Sequence, residues 1–219
     1  MIKYCSIIPY SIDVINLAIL ISGRGSNMKS LLQAISLGEI KGIKNVLVVS
    51  NKPNAIGLEI AKKEFGVRTS VVQPDQSGES FEKKLISELR NNDIFEHNSL
   101  VCLAGFMRIL SPEFVNIYKN RILNIHPSLL PSFKGLQAQK QALLAGVKVT
   151  GCTVHLVDDG VDSGPIILQK CVPVYDEDTV ESLSERILIE EHQTYVKALK
   201  LYASNKLLLK GNRIVQIKE

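Results

Sequence analysis

Asn124 and His126 stand two positions apart in the run NIHPSLLP (124–131), where Pro127 and Pro131 bar regular structure beyond the histidine. On an extended chain that spacing sends a carboxamide and an imidazole out of the same side of the backbone, so both can reach one reacting group. An amide N–H and a protonated ring N–H aimed at one oxygen stabilise the negative charge that develops there when a carbonyl is attacked. The ring also exchanges protons near neutrality. An Asn-x-His of this kind can equally cap a strand end, and the tripeptide alone leaves both readings open.

Two other segments carry chemistry. SGRGSN (22–27) follows an apolar run and opens an amphipathic one, which points backbone N–H groups and a helix dipole at a ligand. Gly25, Ser26 and Asn27 then suit one phosphate monoester, although a tight strand-to-helix turn uses the same glycines. The turn lacks the third glycine of a dinucleotide fingerprint, and the next strand ends in Ser50 and Asn51 with no acid for a ribose hydroxyl, which disfavours NAD. No Gly-Lys-Ser/Thr follows, so a Walker loop is excluded. The second segment, DDGVDSG (158–164), puts Asp158, Asp159 and Asp162 in a loop that Gly160 and Gly164 already turn. A carboxylate there would favour the imidazolium of His126 if the two met, and Asp162 is the choice because Ser163-Gly164 lets its backbone turn tightly. A solvated acidic turn is the alternative. Ser128 lies outside any nucleophile elbow, and His97, His155 and His192 lack zinc-site spacing. His155 reads as a packing or hairpin-supporting residue and His192 as a solvated one.

The elements that must position these residues are legible from periodicity. Short apolar runs at 14–21, 43–50, 67–72, 99–106 and 121–125 alternate with amphipathic stretches at 27–38, 55–66, 80–92 and 111–120. That order predicts parallel strands with helical crossovers, covered on both faces. Beyond residue 147 two extended segments, 148–157 and 165–174, form a hairpin around the acidic loop. A long helix from about Thr179 to Ser204 and a closing hairpin turned at Gly211-Asn212 follow. The predicted fold is an open, doubly wound, mostly parallel α/β sheet with an antiparallel C-terminal part. Residues 15–219 form one domain and 1–14 an N-terminal extension.

Composition sets the outer limits. The chain has 219 residues, 45% hydrophobic, and a formal charge of +4 without a Lys/Arg cluster, which argues against a dedicated nucleic-acid binder. No apolar run approaches the roughly 20 residues that cross a bilayer. Cys5, Cys102, Cys152 and Cys171 form no C-x-x-C pair and read as buried small hydrophobes of a reducing cytoplasm. The expected partners are small molecules, with no nucleic acid or membrane, acting on a monomer or homodimer.

Four separated motifs, ISGRGSN (21–27), LAGFMRILSP (103–112), NIHPSLLP (124–131) and VDSGPIILQ (161–169), together resemble the phosphoribosylglycinamide formyltransferases, folate-dependent enzymes of purine synthesis. The similarity runs from about Asn16 to about Leu208. It implies a Rossmann-like fold, 10-formyltetrahydrofolate as co-substrate and no metal. It also implies that Gly25, Ser26 and Asn27 hold the substrate phosphate, that Glu191 binds the ribose hydroxyls, and that Leu188, Ile189 and Glu190 line the same wall. Met107, Arg108, Ile109 and Leu110 match the segment holding the pterin, together with Asn124 and the loop Asp158, Asp159, Gly160, Val161 and Asp162. Asn124, His126 and Asp162 match the catalytic trio. The implied reaction is direct attack of the glycinamide amine on the formyl carbon.

The chain departs from the pattern at Gln137 and Gln139, where relatives often carry histidines. It departs again at Gly78, where an arginine often contacts the folate tail and which leaves the tail to Lys83 or Lys84. Methionyl-tRNA formyltransferases share part of the pattern but need a further domain. A formyltetrahydrofolate deformylase, with water as acceptor, and a non-catalytic nucleotide-binding module remain as alternatives.

Overall fold

The computed structural model describes residues 5–8, 14–74 and 80–216. Gly78, and with it the question of the folate tail, lies outside the described residues. The chain begins with strand β1 (Cys5–Ile8), then runs β2 (Ile15–Ile21), α1 (Ser26–Ser36), β3 (Ile43–Ser50), α2 (Ile56–Phe65), β4 (Arg68–Val71), α3 (Phe81–Asn91), β5 (Ser99–Leu103), α4 (Pro112–Ile117) and β6 (Ile122–His126). It continues α5 (Ala138–Leu144), β7 (Val149–Leu156), β8 (Ile166–Pro173), α6 (Val180–Ala203), β9 (Leu207–Lys210) and β10 (Arg213–Gln216).

Seven strands form one sheet in the order β4-β3-β2-β5-β6-β7-β8, parallel as far as β6 and antiparallel at β7 and β8. This is the predicted mostly parallel sheet with its antiparallel end. Along β2 the side chains alternate between two cores, Leu17, Ile19 and Ile21 on one face and Ala18 and Leu20 on the other, which explains the unbroken apolar run. Phe81, Leu85 and Leu89 bury one stripe of α3, as their spacing predicts. Gly66 closes α2 and Gly211 turns the last hairpin, both with positive φ.

Strand order reverses beside β2, because β3 and β4 lie to one side and β5 onward to the other. Loops leaving β2 and β5 therefore diverge above their carboxyl ends and open a crevice there, the usual ligand position in open α/β sheets. On α6, the Tyr195 hydroxyl lies 3.2 Å from the Leu103 carbonyl and 3.0 Å from that of Leu123, pinning the helix to β5 and β6 below the crevice.

Four features depart from the sequence reading. Helix α5 was hidden in the glutamine-rich stretch after the prolines. Residues 5–8 of the expected extension pair antiparallel with β9, making a separate three-stranded sheet, β1-β9-β10. Cys102 and Cys152 are buried as expected, whereas Cys171 is exposed, because β8 is an edge strand and its alternation turns that thiol outward. His192 is half-buried rather than solvated. Its Nε2 is sealed from solvent with no hydrogen-bond partner among the described residues, and burial pushes the imidazole below its ordinary pKa.

Candidate active site

The glycine turn delivers the amino end of α1 into the crevice. Gly25 is the N-cap with φ 71°, and no side chain caps the helix, so its first amides face outward. A Cβ on Gly25 would also press within 3.1 Å of the Gly57 backbone, so both conformation and packing require glycine. The turn and α6 enclose a cavity of about 430 Å3 lined by Gly23, Gly25, Ser26, Asn27, Leu188 and Glu191, among others. Asn27 donates to Glu191 at 2.7 Å across it, while the amide oxygen of Asn27 is buried without a partner among the described residues. Burial raises the Glu191 carboxyl above its ordinary range, and the hydrogen bond from Asn27 only partly opposes this.

Ile189 and Glu190, grouped by resemblance with Leu188 and Glu191, are not among the residues lining that cavity. A helix presents positions three apart on one face, so 188 and 191 face the cavity together. Ile189 is 60% exposed, and Glu190 turns to Lys170 at 4.0 Å.

The second half of the site lies at the end of β6. Nδ1 of His126 is 3.3 Å from Asp162 Oδ2, with both side chains largely buried. Nε2 of the same ring is 2.8 Å from the Phe133 carbonyl oxygen, an acceptor, so Nε2 carries a proton and Nδ1 is the nitrogen turned towards Asp162. Two oxygens thus face the two ring nitrogens, and the imidazole form with both N–H groups satisfies both. Asp162 itself adopts φ 48°; the left-handed residue of this turn is the aspartate and not a glycine. Gly164 contributes close approach instead, since a Cβ there would overlap the Leu156 carbonyl. The Asp162 carboxylate also accepts from the Gly135 amide at 2.8 Å.

The sequence reading underrated His155. It sits opposite Asn124 in the β6–β7 ladder, its Nε2 3.2 Å from the Asn124 amide nitrogen and 3.7 Å from Asp162 Oδ1. Its Nδ1 donates to the Leu156 carbonyl at 2.8 Å, leaving Nε2 as the acceptor for Asn124, and burial lowers its pKa, which keeps the ring neutral. Pairing 121–125 with the first hairpin strand in antiparallel register would have exposed this partnership. Ser22 was also missed. Its hydroxyl donates to Asn51 at 2.7 Å and accepts from the Met107 amide at 2.8 Å, tying the glycine turn to the segment after β5.

That segment leaves apolar side chains open to solvent. Met107 and Ile109 are 66% and 81% exposed and Leu110 is buried, while Val161 is 49% exposed in the β7–β8 loop. The Arg108 guanidinium stacks over Phe81 at 4.5 Å, so within this segment its side chain is engaged by the protein. In the loop, Asp158 accepts from Ser163 at 2.6 Å and from the Gly160 amide, so it braces the turn, and Asp159 is exposed.

The family model for formyl transferase matches residues 15–199. The chain belongs to the formyl transferase family. Within the family it is 40% identical over 198 residues to the phosphoribosylglycinamide formyltransferase of Escherichia coli K12, covering 90% of this chain and 91% of that one. It is 47% identical over 199 residues to the trifunctional purine biosynthetic protein adenosine-3 of Chironomus tentans, where the match covers 89% of this chain but only 14% of the relative's length. The glycinamide ribonucleotide transformylase 1 of Symbiobacterium toebii superposes with a TM-score of 0.87 at 44% identity, over 94% of this chain and 95% of that one. The resemblance drawn from the four motifs therefore holds for this formyl transferase, as does the fold it implied.

Proposed function

We propose that this formyl transferase moves a formyl group from 10-formyltetrahydrofolate to the amine of glycinamide ribonucleotide. The observation that carries the reading is the meeting of His126 and Asp162 at 3.3 Å, beside Asn124 and two strands away from the β2–α1 turn, where no side chain caps the helix amino-terminus. Formyl transfer needs donors for a developing oxyanion, a charged group that keeps the imidazole protonated and an anchor for a phosphorylated acceptor, and these residues supply all three.

In this mechanism the phosphate is held by the backbone and side chains of Gly25, Ser26 and Asn27, and Glu191 accepts from the ribose hydroxyls. Met107, Ile109, Leu110 and Val161 supply the apolar walls for the pterin. The acceptor amine attacks the formyl carbon, and as the formyl oxygen gains charge it takes a hydrogen bond from the Asn124 amide and a second from a His126 ring N–H that gives up its present oxygen partner, Asp162 Oδ2 or the Phe133 carbonyl. Asp162, 3.3 Å from that ring, orients it and, through water, relays the proton lost by the amine to the departing folate nitrogen as the bond from that nitrogen to the formyl carbon breaks. The protein works on these small molecules in the cytoplasm, as a monomer or homodimer.

The test mixes the purified protein with 10-formyltetrahydrofolate, with and without glycinamide ribonucleotide, and follows appearance of the deformylated folate. Release that requires the acceptor supports the transferase. Release without it makes the protein a deformylase, and no release in either tube reduces it to a binding module.

A further inference from the structure

Three side chains stand abreast on one face of the sheet's antiparallel end, for His126 pairs with Thr153 across β6–β7 and Thr153 with Gln169 across β7–β8. The loop that leaves His126 folds back over this row. The Thr153 hydroxyl donates to the Ser128 carbonyl at 2.6 Å and accepts from the Leu130 amide at 3.0 Å. Gln169 Nε2 donates both to the Leu130 carbonyl at 2.9 Å and to the Thr153 hydroxyl at 3.0 Å. The far end of the same loop touches both reacting groups, through the Phe133 carbonyl on His126 Nε2 and the Gly135 amide on Asp162.

This loop holds itself only over its first half, where the Ser128 hydroxyl donates to the Ser132 carbonyl at 2.5 Å and the Ser132 amide to the Leu129 carbonyl at 3.1 Å. Phe133 and Gln137 adopt φ of 54° and 57°, a region that L-residues resist, so ties from outside must keep them there. Thr153 is fully buried and makes the tie that any packing role would require. Gln169 is different, because it lies exposed on the edge strand, where neither the core nor the ladder asks for a glutamine.

We infer that Gln169 is a positioning residue for the transfer reaction: by fixing the Leu130 carbonyl and the Thr153 hydroxyl it sets the loop that seats His126 and Asp162. The inference rests on the formyl-transfer reading. Its action runs through the loop to the reacting groups and leaves the acceptor cavity between α1 and α6 untouched. The charged or titratable groups facing His126 are Asp162 and, behind it, His155, and neither contacts Gln169.

The experiment compares the full chain with Gln169→Leu and Gln169→Glu, measuring kcat, KM for each substrate, the pH dependence of kcat and the ring N–H signals of the four histidines by NMR. Because the side chain is exposed, both variants are expected to melt near the wild type. Their kcat should fall roughly 10-fold or more, as for a slightly misplaced catalytic group, with KM for the ribonucleotide unchanged and the pH profile displaced. The Nε2 proton of His126, slow to exchange in the wild type, should broaden. A folded variant with wild-type kcat and pH profile overturns the inference, as does a loss appearing only as a raised KM for the ribonucleotide. Failure of both variants to fold also overturns it, since the residue would then serve the fold alone. A wild type that transfers no formyl group instead overturns the reading of function, and the His126 signal still decides whether Gln169 sets the ring.

Discussion

Asn124 and His155 face each other directly across β6 and β7, amide nitrogen to Nε2 at 3.2 Å. Because the other nitrogen of His155 donates to a backbone carbonyl, the Nε2 of the neutral ring accepts from Asn124, which fixes the carboxamide flip and leaves its second N–H for a ligand in the proposed reaction. His155→Phe keeps ring size but removes the acceptor, and kcat should drop roughly 10-fold or more while substrate KM values hold. The pH behaviour follows from the lowered pKa of the buried ring. As pH falls below about 6.5 the unfolded chain gains this proton before the folded one does, so folding free energy declines in that direction. Denaturant titrations at pH 7.5 and 5.5 should show a larger loss in the wild type than in His155→Phe.

Asp162→Asn isolates the charge, since asparagine tolerates the left-handed backbone of that position and keeps the shape. It and His126→Ala should each cost roughly 10²-fold or more in turnover. Affinity for the ribonucleotide, measured calorimetrically without folate, should barely change, because the proposed phosphate site at the start of α1 contains neither residue. Equal turnover in the wild type and both variants would remove His126 and Asp162 from the mechanism.

How far the sequence reaches depends on which interaction fixes each feature. The parallel half of the sheet was readable because strands such as Ile15–Ile21 are buried on both faces and helices such as Phe81–Asn91 bury one stripe, and burial is written into periodicity. Asn124 and His126 were visible because two prolines and a two-residue spacing are local facts. His155 was misjudged because its role comes from a cross-strand register that no local pattern encodes. Helix α5 was missed because Gln137 starts it in a left-handed conformation with no side-chain cap. The ties from the Phe133 carbonyl and Gly135 amide are invisible in principle, for backbone atoms carry no residue identity.

Glu191 exchanges stability for a ligand group. Its raised pKa means the folded chain holds this proton more tightly than the unfolded one, whose carboxyl titrates near 4.5, so folding weakens as pH climbs through the folded value. Glu191→Gln removes the buried charge and can donate to the stranded Asn27 oxygen, whose burial without a partner is worth about 1–3 kcal/mol. The melting temperature at pH 7.5 should therefore rise, and should rise less at pH 4.5, while KM for the ribonucleotide increases. A lower melting temperature at pH 7.5 would mean that the charged carboxylate is fully compensated in the fold.

Gly164 separates the shape of the β7–β8 loop from its charge. An added Cβ would collide with the Leu156 carbonyl, which is backbone and part of the ladder, so neither partner can move aside cheaply. Leu156 is also the acceptor for His155 Nδ1, and Gly164 lies two residues from Asp162, so the strain acts on both. Gly164→Ala should destabilise the protein by about 1–3 kcal/mol and lower kcat well beyond the unfolded fraction, because a displaced Asp162 no longer holds His126. Gly160→Ala meets side-chain atoms rather than backbone, chiefly the Ser163 hydroxyl that braces the turn through Asp158, and provides the milder comparison on the same loop. Circular dichroism melts and single-turnover rates on the two variants separate these effects, and matching rates in both would show that the loop's backbone does not set the position of Asp162.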